Sequence, residues 1–555
     1  MTVDLDHFRS RRSSVRAPRG LVATSQPLAA EAGLSILRTG GNAFDAAVAT
    51  AAALNVVEPT STGLGGDVFA LYRTADGAVG AMAACGGAPE EATAERLRET
   101  LAETDPETRE AYYPSGGKAS DELDDGDESV SMPTYGPHAV TVPGTARGWE
   151  RTVEEFGRLD LESVLAPAIH YATEGYPVSD VVAAAWSSAE RLFRDDHARE
   201  AYLFDGSAPA PGETVTLPKL AASLETIANR GADIVYEGEI ADAIVSEIQS
   251  RGGFMTREDL AGFEPAFVEP ISTTYRGCEV FELPPNNQGM IALETLNLAA
   301  EIDAGDHPYD SPERVHAFAE ATKLAFVDGH HYITDPEFEP VPPLHSRSYA
   351  RKRAGEIGDE PLDDPSVGSP EPTGEDADTV LLCVADADGN VVSYINSRFM
   401  GFGSGLVAGD TGIALQNRGA SFSLNEDDPN CLEPEKRPFH TLVPAIARLP
   451  NDAWAAFGVM GGYMQPQGHV QVLSNLLDYG MAPQEALDAP RFRVRADGTL
   501  GVEERLPNAS KLARRGHDVR VLPPALFGGA QFARWDDGTL DGATEPRKDG
   551  HVSGY

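Results

Sequence analysis

A threonine that opens a strand directly behind an acidic segment has more chemistry open to it than any other residue of this 555-residue chain. Thr379 begins the apolar run TVLLCVA (379–385), which is followed by the turn cluster DADGN (386–390) and a second run, VVSYINS (391–397). Two strand-like runs around such a cluster predict a β-hairpin with Gly389 at positive φ. A turn centred on Asp388 pairs Thr379 with Ser397. A threonine hydroxyl attacks poorly unless a base stands beside it. Cutting the Asp378–Thr379 bond would supply one: Thr379 would become N-terminal, and its α-amine, with an ordinary pKa of about 8, would reach its own hydroxyl directly or through one water. Ser397 would orient the nucleophile. The same chemistry needs donors for an oxyanion, and FGVMGGYMQPQGH (457–469) offers Gly461 and Gly462, whose N–H groups have no Cβ in the way.

Other constellations are weaker. GFGSGL (401–406) lacks the spacing of a dinucleotide loop, and GLGGD (63–67) reads as a tight turn before an anion cradle. His330-His331 with Asp328 and Asp335 suggests a metal, but no third spaced ligand stands out, so a polar helix end is the reading and no metal or cofactor is expected. No GxSxG elbow occurs.

The elements that must position these residues are partly legible. Ser25 is expected to cap a helix that has Pro27 in its first turn and runs to Arg38; Asn42 caps a second, Ala-rich helix with Asp45 in its first turn. After GLGGD, VFALYR reads as a strand. Helical patterns dominate 144–260, Thr256 caps a short helix, and 313–332 form a long amphipathic one. Residues 115–131 have no hydrophobic period and read as a solvated insertion; 357–378, acidic and rich in Pro and Gly, read as a mobile linker.

Composition narrows the function. Asp+Glu is 87 against 44 for Lys+Arg, a net charge of −43 spread along the whole chain. Such a surface disfavours nucleic acid and anionic membranes and fits a salt-rich, halophilic cytosol. Cys85, Cys278, Cys383 and Cys431 form no CxxC pair and are expected to be reduced, buried thiols. Arg11-Arg12 is followed by no apolar run, and no stretch long enough to span a bilayer occurs, so the chain reads as cytoplasmic.

Taken in order, GLVATSQPLAAEAGLSILRTGGNAFDAAVATAAALNVVEPTSTGLGGD (20–67), VPGTARGWE (142–150), GGFMTREDL (252–260), PPNNQG (284–289), HAFAEATKLAFVDGHHYITDP (316–336), DTVLLCVADADGNVVSYINS (378–397), GFGSGLV (401–407), KRPFHTLVPAI (436–446) and GVMGGYMQPQGH (458–469) resemble the γ-glutamyltransferase family of N-terminal-nucleophile hydrolases, over about residues 18–525. The resemblance implies an α+β, four-layer αββα fold. It implies a precursor cleaved before Thr379 into chains 1–378 and 379–555 that stay associated as one intertwined fold. It also implies an acyl-enzyme on Thr379, with Gly461 and Gly462 holding the oxyanion.

The pocket departs from the family pattern in ways that bear on substrate. Where the family has an arginine for the substrate α-carboxylate, this chain has Cys85; the family's asparagine two residues past the orienting hydroxyl is Phe399. The residues for the α-amino-acid group align with Arg418 and Ser421, and the paired serines with His440 and Thr441. Ser421 is a weak partner for an ammonium, and Arg418 adds charge suited to an anionic acyl group or makes a structural salt bridge. The chain is therefore expected to be an amidohydrolase or acyltransferase acting on a small amide, either a γ-glutamyl donor of glutathione metabolism or another anionic acyl amide of oxamate or glutaryl type. A non-enzymatic relative is the remaining class, which Thr379, Ser397 and the glycine pair speak against.

Overall fold

The computed structural model describes residues 12–112, 131–363, 365 and 379–555. Two seven-stranded sheets form its centre, and every pairing in them is antiparallel. In one, the order runs His551–Gly554, Gly20–Thr24, Val380–Asp386, Val391–Ser397, Asp67–Arg73, Val79–Ala84, Ala266–Val268. In the other it runs Val15–Ala17, Thr539–Thr544, Gly529–Asp536, Trp454–Met460, Ala445–Arg448, Cys278–Glu282, Ile271–Tyr275.

Side chains alternate between the two faces of a strand, so a sheet covered on both faces needs apolar residues throughout. Strand Val380–Asp386 is buried along its whole length. Its Leu381 and Cys383 join Phe69, Ile395, Ile446 and Ala456 in a core between the sheets, while Leu382 and Val384 face outward to the helix Ala43–Val57. On the far side Val280, Phe457 and Phe532 pack with the helices Gly289–Glu301, Pro312–Tyr332 and Met464–Leu477. Helix, sheet, sheet and helix are the four layers of an αββα sandwich.

The local expectations mostly hold. Asn42 and Asp45 form a capping box, as do Thr256 and Asp259. All four cysteines are free and buried. The first helix is a correction: it spans Pro27–Arg38, but Gln26 accepts from the N–H groups of Leu28 and Ala29, while the Ser25 hydroxyl turns to Glu58 at 2.6 Å. Residues 113–130, nearly all of the expected insertion, lie outside the described residues, as do 364 and 366–378 of the linker.

The start of that linker is a second correction, because its backbone is tied down. Glu320 accepts the Leu362 N–H at 2.7 Å, Lys323 donates to the Leu362 carbonyl at 3.3 Å, His316 Nε2 bonds the Gly358 carbonyl at 3.0 Å, and Arg515 bonds the Asp359 carbonyl at 2.7 Å. Composition does not reveal such ties, since it counts the linker's own side chains while these are backbone groups taken by residues elsewhere. Among the described residues no helix is long and apolar enough to cross a membrane.

Candidate active site

The hairpin folds in the register its turn sets. Val380 pairs with Asn396 and Ala385 with Val391, Gly389 has φ +91°, and the next pair along the ladder is Thr379 and Ser397. Their hydroxyls stand 3.4 Å apart, both buried. Directly opposed residues share a face of the sheet, and Ser397 is itself opposite Asp67. Thr379, Ser397 and Asp67 thus form a row across three neighbouring strands, facing the second sheet. Thr379 and Asp67 are two strand spacings apart, roughly 10 Å.

The glycine pair arrives from that second sheet. Strand Trp454–Met460 ends and helix Met464–Leu477 begins with Gly461 and Gly462 between them. Both have left-handed backbone, φ +115° and +54°, which a glycine adopts without cost. Their carbonyls accept the Met464 and Gln465 N–H groups, which turns the chain into the helix. Neither glycine N–H has an acceptor among the described residues. Gln288 bonds both the Gly462 carbonyl, at 3.0 Å, and the Thr441 carbonyl, at 2.8 Å, tying this turn to the neighbouring pocket wall.

Phe399, Arg418 and Thr441 come together as that wall, and Ser421 ends the short turn that Arg418 begins. Phe399 has φ +80°, a strained conformation for a bulky residue, held by its N–H on the Ser397 hydroxyl at 2.9 Å. The Arg418 guanidinium lies 4.1 Å from the Phe399 ring centre, and its Nη1 donates to Thr441 Oγ1 at 2.8 Å. Arg418 is fully buried, and among the described residues its Nε and Nη2 have no hydrogen-bond partner, nor does the buried Ser421 hydroxyl. No structural salt bridge engages Arg418 among the described residues. Burial lowers its pKa to about 10, with Asp67 opposing that shift, so it remains a cation at neutral pH.

His440 takes a different place from the one its motif suggests. Its Nε2 lies 3.0 Å from Asp67 Oδ2, and the Leu442 N–H points at its Nδ1 at 3.2 Å. Nδ1 therefore accepts and Nε2 carries the proton, so the ring donates to Asp67. Burial and the nearby Arg418 push its pKa well below the usual value, which keeps it neutral. With both nitrogens used inside the protein, the ring has none left for a ligand.

Asp67 is the residue that motif reading misses, because GLGGD looks like a turn and nothing more. Each glycine there meets close neighbours: a Cβ on Gly66 would stand 2.2 Å from the Ser397 carbonyl. The close approach brings the carboxylate of Asp67 into the site, where Gln416 Nε2 at 3.0 Å and the Gly144 N–H at 3.3 Å bond its other oxygen. Burial raises its pKa to about 7 against the pull of Arg418, Gln416 and Gly144. Cys85, in the position of the family's arginine, is a buried thiol whose pKa burial pushes up to about 12.

The histidines of the long helix are structural. Asp328 is paired with Arg353 and Asp335 with Arg437, and the His330 ring stacks on Phe326 and Phe439. His316, Glu320 and His517 bring three ligand-type atoms together elsewhere. There, however, His316 and His517 hydrogen-bond each other at 2.9 Å, and the Lys323 ammonium already sits 2.9 Å from the Glu320 carboxylate.

Two antiparallel sheets between helical layers, with a threonine at the start of a central strand, are the architecture of an N-terminal-nucleophile hydrolase. The gamma-glutamyltranspeptidase family model matches residues 29–555. The glutathione hydrolase-like YwrD proenzyme of Bacillus subtilis (strain 168) is 38% identical over 98% of this chain and 99% of its own length. The oxamate amidohydrolase proenzyme of Klebsiella pneumoniae is 34% identical over 98% and 100%. The cephalosporin acylase structure from Bacillus halodurans superposes with a TM-score of 0.88 at 42% identity, covering 100% of this chain and 99% of that one. The chain belongs to the gamma-glutamyltranspeptidase family, and is an enzyme of its hydrolase and transferase type that acts on small amides.

Proposed function

We propose that this protein is a threonine amidohydrolase, matured by cleavage of its own Asp378–Thr379 bond, that takes amides whose acyl group carries a carboxylate. Thr379 Oγ attacks the amide carbonyl while its α-amine takes the proton. The Gly461 and Gly462 N–H groups hold the oxyanion, Ser397 orients the nucleophile, and amine leaves. Water then attacks the ester and releases the acid. The chains 1–378 and 379–555 stay associated, since the strand behind Thr379 is central to its sheet.

The observation that carries the substrate reading is the open edge of Arg418. Nε and Nη2 lie on one side of the guanidinium, the side that grips a carboxylate with two parallel bonds, and both are buried and unpartnered among the described residues. A γ-glutamyl group and a glutaryl or oxalyl group each bring a carboxylate. Names among the relatives support both kinds of donor. Phe399 and Thr441 stand against the same guanidinium, and His440 holds Asp67 nearby.

The setting is a salt-rich cytosol, supported by the net charge of −43 and by four free cysteines. A panel of p-nitroanilides tests the assignment. Glutaryl or γ-glutamyl anilides should be hydrolysed and the uncharged acetyl anilide left intact, with activity lost as KCl falls from about 3 M to 0.1 M. Equal turnover of the acetyl compound would overturn the carboxylate reading. An unchanged rate at low salt would overturn the halophilic one.

A further inference from the structure

Two different segments carry the two ends of a bound acyl group, the Arg418 wall its carboxylate and the glycine turn its carbonyl. We propose that Gln288 is a positioning residue that fixes the span between them: its side-chain amide ties wall to turn, and so selects acyl groups by length. This rests on reading Arg418 as the seat of the acyl carboxylate and the Gly461 and Gly462 N–H groups as the oxyanion donors.

The tie is a continuous run of hydrogen bonds. Arg418 Nη1 donates to Thr441 Oγ1 at 2.8 Å. Gln288 Nε2 donates to the carbonyl of that same Thr441 at 2.8 Å, and again to the Gly462 carbonyl at 3.0 Å. Both partners are carbonyl oxygens, so the amide nitrogen faces them and uses both of its N–H bonds. Gln288 is fully buried and stands at the N-cap of helix Gly289–Glu301, yet its side chain makes no cap bond there. Its Oε1 has no partner among the described residues. The hydrogen bonds of this side chain therefore go to wall and turn, not to its own helix.

Each end keeps its shape by other means. The Gly461 and Gly462 carbonyls accept the Met464 and Gln465 N–H groups at 2.9 and 3.1 Å, bonds that lie inside the turn and move with it. The wall is held by the His440 N–H on the Asn286 carbonyl at 2.9 Å, the Gln288 N–H on the His440 carbonyl at 3.0 Å and Asn286 Nδ2 on the Pro438 carbonyl at 2.6 Å. Beyond the wall, the Val443 N–H reaches Gln465 Oε1 at 2.9 Å and keeps the helix beside it. The Gln288 amide is the tie made at Gly462 itself, where two successive glycines leave the backbone free to shift. Oxyanion donors act only when they are aimed at the place where charge develops. With the carboxylate on Arg418, a carbonyl meets them only if the carbons between match the span.

The test is the mature enzyme with oxalyl, succinyl, glutaryl and adipyl p-nitroanilides, which differ in length alone. One methylene shifts kcat/KM by roughly 10–200-fold in a fitted pocket, so the preferred donor of wild type should beat its neighbours in length by about tenfold or more. In Gln288→Met, which keeps the length of the side chain and loses both donors, the differences should shrink to within about threefold. The preferred donor should lose at least about tenfold in kcat, with KM changed by less than about threefold, since Phe399 and Thr441 still hold Arg418. Gln288→Glu, of the same shape, should do likewise and serves where the methionine variant does not fold. A merely structural fault would lower all four donors by one factor. Wild-type length ratios retained in the variants, or a wild type that turns over neighbouring lengths equally, overturns the proposal. Arg418→Ala separates the two readings. If it leaves KM for the preferred donor unchanged, the carboxylate reading itself fails; if it raises that KM while the Gln288 variants keep the wild-type ratios, only the role of Gln288 falls.

Discussion

Thr379→Ala is expected to give one uncut chain of 59.0 kDa with no amidase activity, where wild type gives the two shorter chains 1–378 and 379–555. Both losses come from one atom. Self-cleavage needs a hydroxyl next to the bond that breaks, and turnover needs the same hydroxyl to carry the acyl group. The fold should survive, because the side chain lost is one methyl and one hydroxyl at the end of a strand whose core residues, Leu381, Cys383 and Ala385, are untouched. A denaturing gel and a rate assay check it. Normal processing of the variant would place the nucleophile elsewhere.

The second large effect is at Arg418. Arg418→Ala should lower kcat/KM for a carboxylate-bearing donor by at least about 100-fold, nearly all of it in KM. Two charge-assisted hydrogen bonds are at stake, each worth roughly 1.5–3 kcal/mol, and each step of about 1.36 kcal/mol is tenfold. Arg418→Lys should recover little, since an ammonium is a point charge without the fork and would leave the Phe399 ring and Thr441 hydroxyl poorly matched. Removing the cation that favours ionised Asp67, as Arg418→Ala does, should keep Asp67 protonated to higher pH. Steady-state kinetics with glutaryl and acetyl anilides read the effect, and an equal loss on both would show a fault in folding and not in recognition.

Much of this site could be read from the chain because its parts obey short-range rules. The pairing of Thr379 with Ser397 follows from the DADGN turn and the period of two along a strand. The helix starts at Asn42 and Thr256 are set by residues within three positions of the cap. What escaped reading was long-range. Asp67 joins the row with Ser397 and Thr379 because Gly66 lets the backbone come against Ser397, a residue distant along the chain, and no local pattern announces such a neighbour. His440 sits in a recognisable motif, yet which way its ring points is decided by Leu442 and Asp67 together. Ser25 has the composition of a cap, but the Glu58 carboxylate accepts from its hydroxyl and Gln26 caps instead.

Whether the hydroxyl of a newly made N-terminus breaks the substrate's bond is tested most directly by intact-mass measurement and N-terminal sequencing of purified, active protein. The expected result is a small chain, 379–555, that opens on Thr379 with a free α-amine. Full activity from material in which Asp378 and Thr379 are still joined would contradict it.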